Sequence, residues 1–226
     1  MDNLNDLKRN KMTMTRGCIP LLTAIMVFSL LAAMPRTANA ANITWDGTDL
    51  TVANGDVVTL NDAAWIGGGT LTVPASSTVD IFGTVMNATN GITIDFGDAL
   101  SRVYWYATYE TAASFGGNVI TLTGSAAWFG INNCWIIASG NDGAVFSGAG
   151  GPKVYAGTTA MVSATGGTAI KADLVELDNC TVSATTGIAI DAGQIYNTSL
   201  THIAAPPPKN HKKQSKFSYF QAIFVS

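Results

Sequence analysis

A short phrase recurs in this chain: Gly167-Thr-Ala-Ile-Lys-Ala172 returns twenty residues later as Gly187-Ile-Ala-Ile-Asp-Ala192. Looser versions begin at Gly91, Gly117 and Gly143, and successive copies are spaced by 26, 26, 24 and 20 residues. Self-similarity at such a period belongs to solenoids, in which each winding buries its apolar side only against its neighbours. Within each phrase the residues alternate with a period of two, as strands do, and no stretch beyond residue 40 carries a helical period. The expectation is an all-β chain: a single parallel β-helix of roughly seven coils over residues 41–204.

Both ends depart from the repeat. Lys8, Arg9, Lys11 and Arg16 precede a largely apolar run of seventeen residues from Cys18 to Met34, and Ala38-Asn39-Ala40 comes after it. A basic start, an apolar run and a small-residue site in that order read as a secretory signal peptide over residues 1–40. The run falls short of the about twenty apolar residues that span a bilayer, so no stable membrane insertion is expected after cleavage. At the other end Pro206-Pro207-Pro208 stops the strands, because proline cannot donate to a ladder, and a lysine-rich segment without acids succeeds it. Residues 205–226 read as a basic, disordered tail.

With the ends set aside, the repeat is strongly acidic. Between Ala41 and Ala204 the basic residues are Arg102, Lys153 and Lys171 against thirteen acids, a formal charge of −10. Such a surface repels phosphate backbones, which excludes nucleic acid as the expected partner, and it keeps an exported protein soluble. Cys134 and Cys180 are the cysteines left in this segment, too few for a disulfide framework.

Strand alternation assigns faces. The phrases place Ile92, Ile94 and Phe96, then Asn118, Ile120 and Leu122, then Ala144, Phe146 and Gly148, then Thr168, Ile170 and Ala172, then Ile188, Ile190 and Ala192, on the inside, with Ile94, Ile120, Phe146, Ile170 and Ile190 in one internal row. Asp95, Thr121, Ser147, Lys171 and Asp191 form the outward file, with Lys171 and Asp191 on adjacent coils. A second strand after each phrase aligns Asn133-Cys-Trp-Ile, Thr159-Ala-Met-Val, Asn179-Cys-Thr-Val and Asn197-Thr-Ser-Leu. That alignment buries Cys134 and Cys180 two coils apart, about 9.6 Å by strand spacing and beyond disulfide reach. It also turns His202 inward beside Ala184.

The repeated Gly-x-Ala-Ile-x-Ala phrase, the Asn-Cys-x-Val/Ile strand and Gly68-Gly-Thr-Leu-Thr-Val73 resemble the right-handed parallel β-helix group of pectin-lyase-like architecture. The resemblance covers residues 41–204, is similar to repeat segments of secreted prokaryotic surface proteins, and specifies a fold rather than an activity. It implies a right-handed winding, in keeping with the handedness of parallel crossovers. Members of the group that cleave acidic polysaccharides use clustered aspartates with a basic residue, or paired aspartates with a histidine and an arginine-lysine site. This sequence has neither set. The nearest approach is Asp95-Phe96-Gly97-Asp98 with Arg102, which could serve acid-base chemistry as a polysaccharide lyase or glycoside hydrolase, or grip calcium through hard oxygen ligands. A solvated turn after Phe96 is the plainer reading, and no cofactor or metal is expected.

The aromatic composition is more unusual. Tyr104-Trp105-Tyr106 and Tyr109 are succeeded on the next coil by Trp128 and Trp135. Flat rings exposed along stacked strands make a platform for sugar faces, whereas alternate rings entering the core would serve packing. The expectation taken forward is a non-catalytic, secreted or cell-surface solenoid with a structural or adhesive role. It touches polysaccharide or cell-envelope glycan through Trp105, Tyr106, Tyr109, Trp128 and Trp135, with Trp105 and Trp135 facing outward.

Overall fold

The structure is a computed structural model that describes residues 40–205 apart from 141, 142 and 200. The expected signal segment before residue 40, the tail from 206 and Leu200 lie outside the described residues. Among the described residues, eighteen strands and one short 3₁₀ turn, Asp62–Ala64, make up the secondary structure. Each strand pairs in parallel with the strand one winding before or after it. The result is a β-solenoid of about seven windings.

Each full winding lays down three strands, one on each of three faces. The first face is built from Leu50–Thr51, Thr70–Val73, Ile92–Phe96, Ile120–Gly124 and Val145–Ser147, then by the opening halves of Thr168–Leu177 and Ile188–Asn197. The second runs from Asn42–Trp45 and Val57–Asn61 through the first half of Thr78–Ala88 to Arg102–Trp105, Trp128–Ile131 and Lys153–Ala156, ending on the closing halves of those two long strands. The third carries the end of Thr78–Ala88, then Thr108–Thr111, Trp135–Ala138, Met161–Ala164, Thr181–Ala184 and His202–Ala204. Parallel pairing needs a crossover between partners, and here two further strands supply it.

Equivalent residues stack into files that fill the interior. On the first face Ile92, Ile120, Val145, Ile170 and Ile190 form one file, all buried. Leu71, Ile94 and Leu122 form the next. On the second face Val79, Val103, Phe129, Val154 and Val175 succeed one another, and on the third Val85, Tyr109, Ile136, Val162 and Val182 do. β-branched side chains suit such closely stacked strands, and each file gains by excluding water from both neighbours.

The files correct the expected registration in three places, and Ile188, expected inside, is 54% exposed because it opens its strand beside a Thr168 that is itself only partly buried. Ile94 stands beside Leu122, not Ile120, because the winding that starts at Gly117 enters its strand two residues later than the Gly91 winding. Phe146 is outward and Ser147 inward: Val145 pairs with Ile120 and Ile170, which reverses the face assigned to this strand. Ser147 remains buried because its hydroxyl donates to the carbonyl of Pro152 at 2.7 Å. The repeating glycine marks a turn of variable length rather than a fixed ladder position. His202 is the third correction. It pairs with Thr181 on the outside of the third face and is exposed, since Asn197 pairs with Leu177 and the connection beyond it is longer than in the preceding winding.

Other expectations match the coordinates. Lys171 and Asp191 are ladder partners, and their charged groups meet at 3.4 Å with about half of each side chain exposed. An exposed pair of this kind contributes under about 1 kcal/mol. The outward Phe146 supplies Lys171 with a second contact, its ring 5.9 Å below the ammonium group. Asn133, Thr159 and Asn179 occupy successive turns with φ of 50°, 57° and 50°, a left-handed conformation that asparagine tolerates better than most residues. The stretch from 41 to 79 forms windings of its own, within which Trp45 and Trp65 pack edge to face at 5.5 Å.

Cys134 and Cys180 are free and buried, separated in their file by Ala160. Burial pushes the pKa of the Cys134 thiol up to about 12 and raises that of Cys180 as well. Thiolate is the reactive species, so neither cysteine should be labelled by an aromatic disulfide reagent at pH 8 while the protein is folded. Both should react once urea unfolds it, and a stoichiometric reaction in the native state would contradict their placement.

Candidate functional site

The residues expected to act together divide among the interior and three outer faces. Arg102 precedes the strand's buried Val103, so its charge turns to solvent and fixes the alternation of the strand beyond it: Tyr104 out, Trp105 in, Tyr106 out. Trp105 is fully buried between Ile81 and Ile131, with its indole N–H donating to the carbonyl of Ala107 at 2.6 Å. Tyr109 is also fully buried. Its hydroxyl donates to the carbonyl of Asn90 at 2.7 Å and accepts from the Trp65 indole at 3.0 Å, and desolvation lifts its pKa to about 12. The outward placement expected for Trp105 is therefore wrong, and neither Trp105 nor Tyr109 offers a ring face to a ligand.

Tyr106 and Trp128 lie on the outside of the second face. Tyr106 stacks on Phe82 at 4.9 Å with the rings 10° from parallel, and Trp128 stacks on Tyr155 at 5.8 Å and 24°. Trp135 stands on the third face with 54% of its surface exposed. It begins an outward file that continues through Met161 and Thr181 to His202, about 14 Å over three strand steps. A groove of about 600 Å³ runs along this file, bordered by Thr159 and Asn179 from the left-handed turns.

Local bonding holds the border of that groove in place. The Thr159 hydroxyl donates to the Asn133 side-chain carbonyl at 2.9 Å, and the Thr159 backbone N–H donates to the Asn179 carbonyl at 2.8 Å. The arrangement offers a flat exposed indole and a thioether along the floor, with amide and hydroxyl groups along one edge. A ligand with an apolar face and a rim of hydroxyls matches that division, which is the anatomy of a sugar ring.

The acidic candidates have a structural task. Asp95 accepts from the Thr123 hydroxyl at 2.7 Å on the first face, while Arg102 stands on the second. Asp98 sits in the turn between them. Its carboxylate accepts the backbone N–H of Ser76 at 2.9 Å, that of Leu100 at 3.0 Å and the Ser101 hydroxyl at 2.8 Å, with further bonds to the Ser76 hydroxyl and Ser101 backbone. These bonds, the Ser76 backbone donor foremost, hold its pKa down at about 2. A carboxylate so engaged is a poor proton carrier near neutrality. Among the described residues Lys171–Asp191 is the sole ion pair and no cluster of potential metal ligands occurs, while Asp95 and Arg102 belong to strands of different faces.

Asp98 instead gives an acid-sensitive stitch between two windings. Its lowered pKa means that its contribution is present above the ordinary value of 3.8 and is lost as pH falls through about 2. Asp98→Ala should thus unfold at lower urea than the parent at pH 7, and the gap between the two should narrow as the pH drops from 4 to 2. A gap independent of pH would contradict the bonding described.

No protein-family model, curated protein or solved structure matches this chain. Its chemistry is therefore read from its own faces. The second-strand alignment already sets Met161 and Thr181 in register with Trp135, as the ladder shows, but the groove bordered by Thr159 and Asn179 was not anticipated from it. Its signal was that same Asn-Cys-x-Val/Ile alignment, which once stacked places Thr159 and Asn179 one winding apart on the same side.

Proposed function

We propose that this chain is a non-catalytic, exported β-solenoid that acts as a structural or adhesive module and holds carbohydrate in the third-face groove. The observation that carries the reading is the exposed Trp135 ring at the head of a polar-edged groove, in a file whose other members are not charged carboxylates. Indole rings that contribute only to packing are covered, as Trp45 and Trp105 are, both 2% exposed or less. Export rests on the basic start, the apolar run and Ala38-Asn39-Ala40. An acidic exterior with few cations suits solubility outside the cell.

The test is a panel of neutral polysaccharides offered to the mature domain, read by tryptophan fluorescence and by retention on immobilised glycan, with product analysis alongside. Binding without cleavage is the expected outcome. Trp135→Ala should weaken binding at least tenfold while leaving the urea midpoint close to that of the parent, because the ring makes little buried contact. Cleavage of any glycan, or binding indifferent to Trp135, would overturn the proposal.

A further inference from the structure

The second outer face holds a different arrangement from the third. Arg102 pairs with Trp128, and Trp128 pairs with Lys153, so the three side chains stand in one outward file. Two residues further along the same strands, Tyr104, Gly130 and Tyr155 form the adjoining file. Gly130 is what lets the rings close over the backbone. A Cβ there would meet Tyr104 Cδ1 at 3.2 Å and stand 3.6 Å from the Trp128 indole nitrogen. Without it, Trp128 leans across the gap onto Tyr155, and Tyr104 flanks the pair.

Charge divides between the two files. The file of Tyr104 and Tyr155 runs on to Asp80 at one end and Glu176 at the other, with Asp178 accepting from the Tyr155 hydroxyl at 3.3 Å, whereas the cations share the Trp128 file. The repeat holds three cations among thirteen acids, and two of the three, Arg102 and Lys153, bracket this one indole. Neither forms an ion pair with a carboxylate among the described residues, where the pair found is Lys171–Asp191. Cations scattered at random in so acidic a segment would meet an acid readily. Here they are kept on either side of an aromatic surface, about 9.6 Å apart across two strand steps.

We propose that Arg102, Trp128 and Lys153, with Tyr104 and Tyr155, form a binding site for a glycan that carries an anionic group on each side of an uncharged sugar ring. The uncharged ring lies on the aromatic surface, whose electron-rich face attracts the ring's C–H groups. The flanking carboxylate, sulfate or phosphate groups meet Arg102 and Lys153 through charge-assisted hydrogen bonds. The remaining acids of the repeat act as a filter. They repel a polymer charged on every unit, and a nucleic acid most of all, while a sparsely charged chain meets the two cations with less opposing field. This site lies on another face from the Trp135 groove and does not depend on it.

The experiment uses the mature chain against four immobilised polymers at low and high salt: an alternating glycan with carboxylates on every second sugar, a sulfated counterpart, a polyuronate charged on every sugar, and a neutral glucan. A single-stranded RNA serves as a further arm, and the parent is compared with Arg102→Gln/Lys153→Gln, Trp128→Ala and Trp135→Ala. At least one alternating polymer should bind more tightly than the polyuronate and RNA, and that binding should weaken at high salt. The double charge variant and Trp128→Ala should each lose at least tenfold, whereas Trp135→Ala should bind as the parent does. Because Trp128 also packs on Tyr155, the charge variant, which keeps that aromatic stack, decides the matter if Trp128→Ala proves unstable. Retention of binding by the charge variant, tighter binding of polyuronate or RNA, or no binding to either alternating polymer would overturn the site. Loss of binding by Trp135→Ala to the neutral glucan bears only on the third-face groove.

Discussion

Trp105→Ala is expected to destabilise the fold by about 3–5 kcal/mol, the range for removing a large aromatic side chain from a packed core. Its indole fills the space between Ile81 and Ile131 and lies 6.1 Å from the Phe129 ring and 6.4 Å from that of Tyr109. The Cys134 thiol reaches its backbone carbonyl at 3.4 Å, so the surrounding windings also converge at this point. A solenoid is a chain of nearest-neighbour contacts, and a void in one winding weakens the interface on both sides of it. Urea unfolding monitored by circular dichroism measures the loss. A change below about 1 kcal/mol would place the indole at the surface, contrary to the structure.

The second large effect concerns a backbone approach. Gly124 ends a first-face strand with φ of 89°, and a Cβ on it would collide with the backbone oxygen of Phe96 in the preceding winding. Left-handed backbone costs an L-residue about 1–2 kcal/mol, and the collision adds to that because a ladder carbonyl has little freedom to move. Gly124→Ala should therefore cost about 2 kcal/mol or more in the same urea experiment. At Gly148, where a Cβ would have open space around it, alanine should change stability little. Equal effects at the two positions would contradict the stacking distance between windings.

The repeat was legible because burial and period agree. Ile170 and Ile190, and the charges Lys171 and Asp191 beside them, lie in register as the two best-matched phrases require. Where the phrase is looser, alternation tells which residues share a face but not which face is inside. Val145-Phe146-Ser147 contains no charge to decide it, and the aromatic ring gave the wrong answer. In Arg102-Val-Tyr-Trp the arginine carries the missing information, since an unpaired guanidinium stays in water and thereby sends Val103 and Trp105 inward. His202 was misplaced for another reason. The connection after Asn197 is longer than its predecessor, and turn length cannot be read from strand periodicity.

The outer faces were less legible than the core. A buried file is constrained by volume and polarity at every winding, whereas outward positions accept almost any polar residue. Tyr155, Lys153 and Gly130 acquire meaning only when Trp128 is known to pair with them across windings. Their sequence separation from one another conceals a contact that the ladder makes immediate.

The central claim is the register of the windings, and the neighbouring residues Val145 and Phe146 test it most directly. Val145 is 1% exposed in the Ile120 to Ile170 file, and Phe146 lies outside under Lys171. Val145→Ser should lower the free energy of unfolding by about 2 kcal/mol or more, while Phe146→Ser should cost about 1 kcal/mol or less despite removing the larger side chain. Urea midpoints for the two variants supply the answer, and a larger loss from Phe146→Ser than from Val145→Ser would contradict the register and the faces assigned from it.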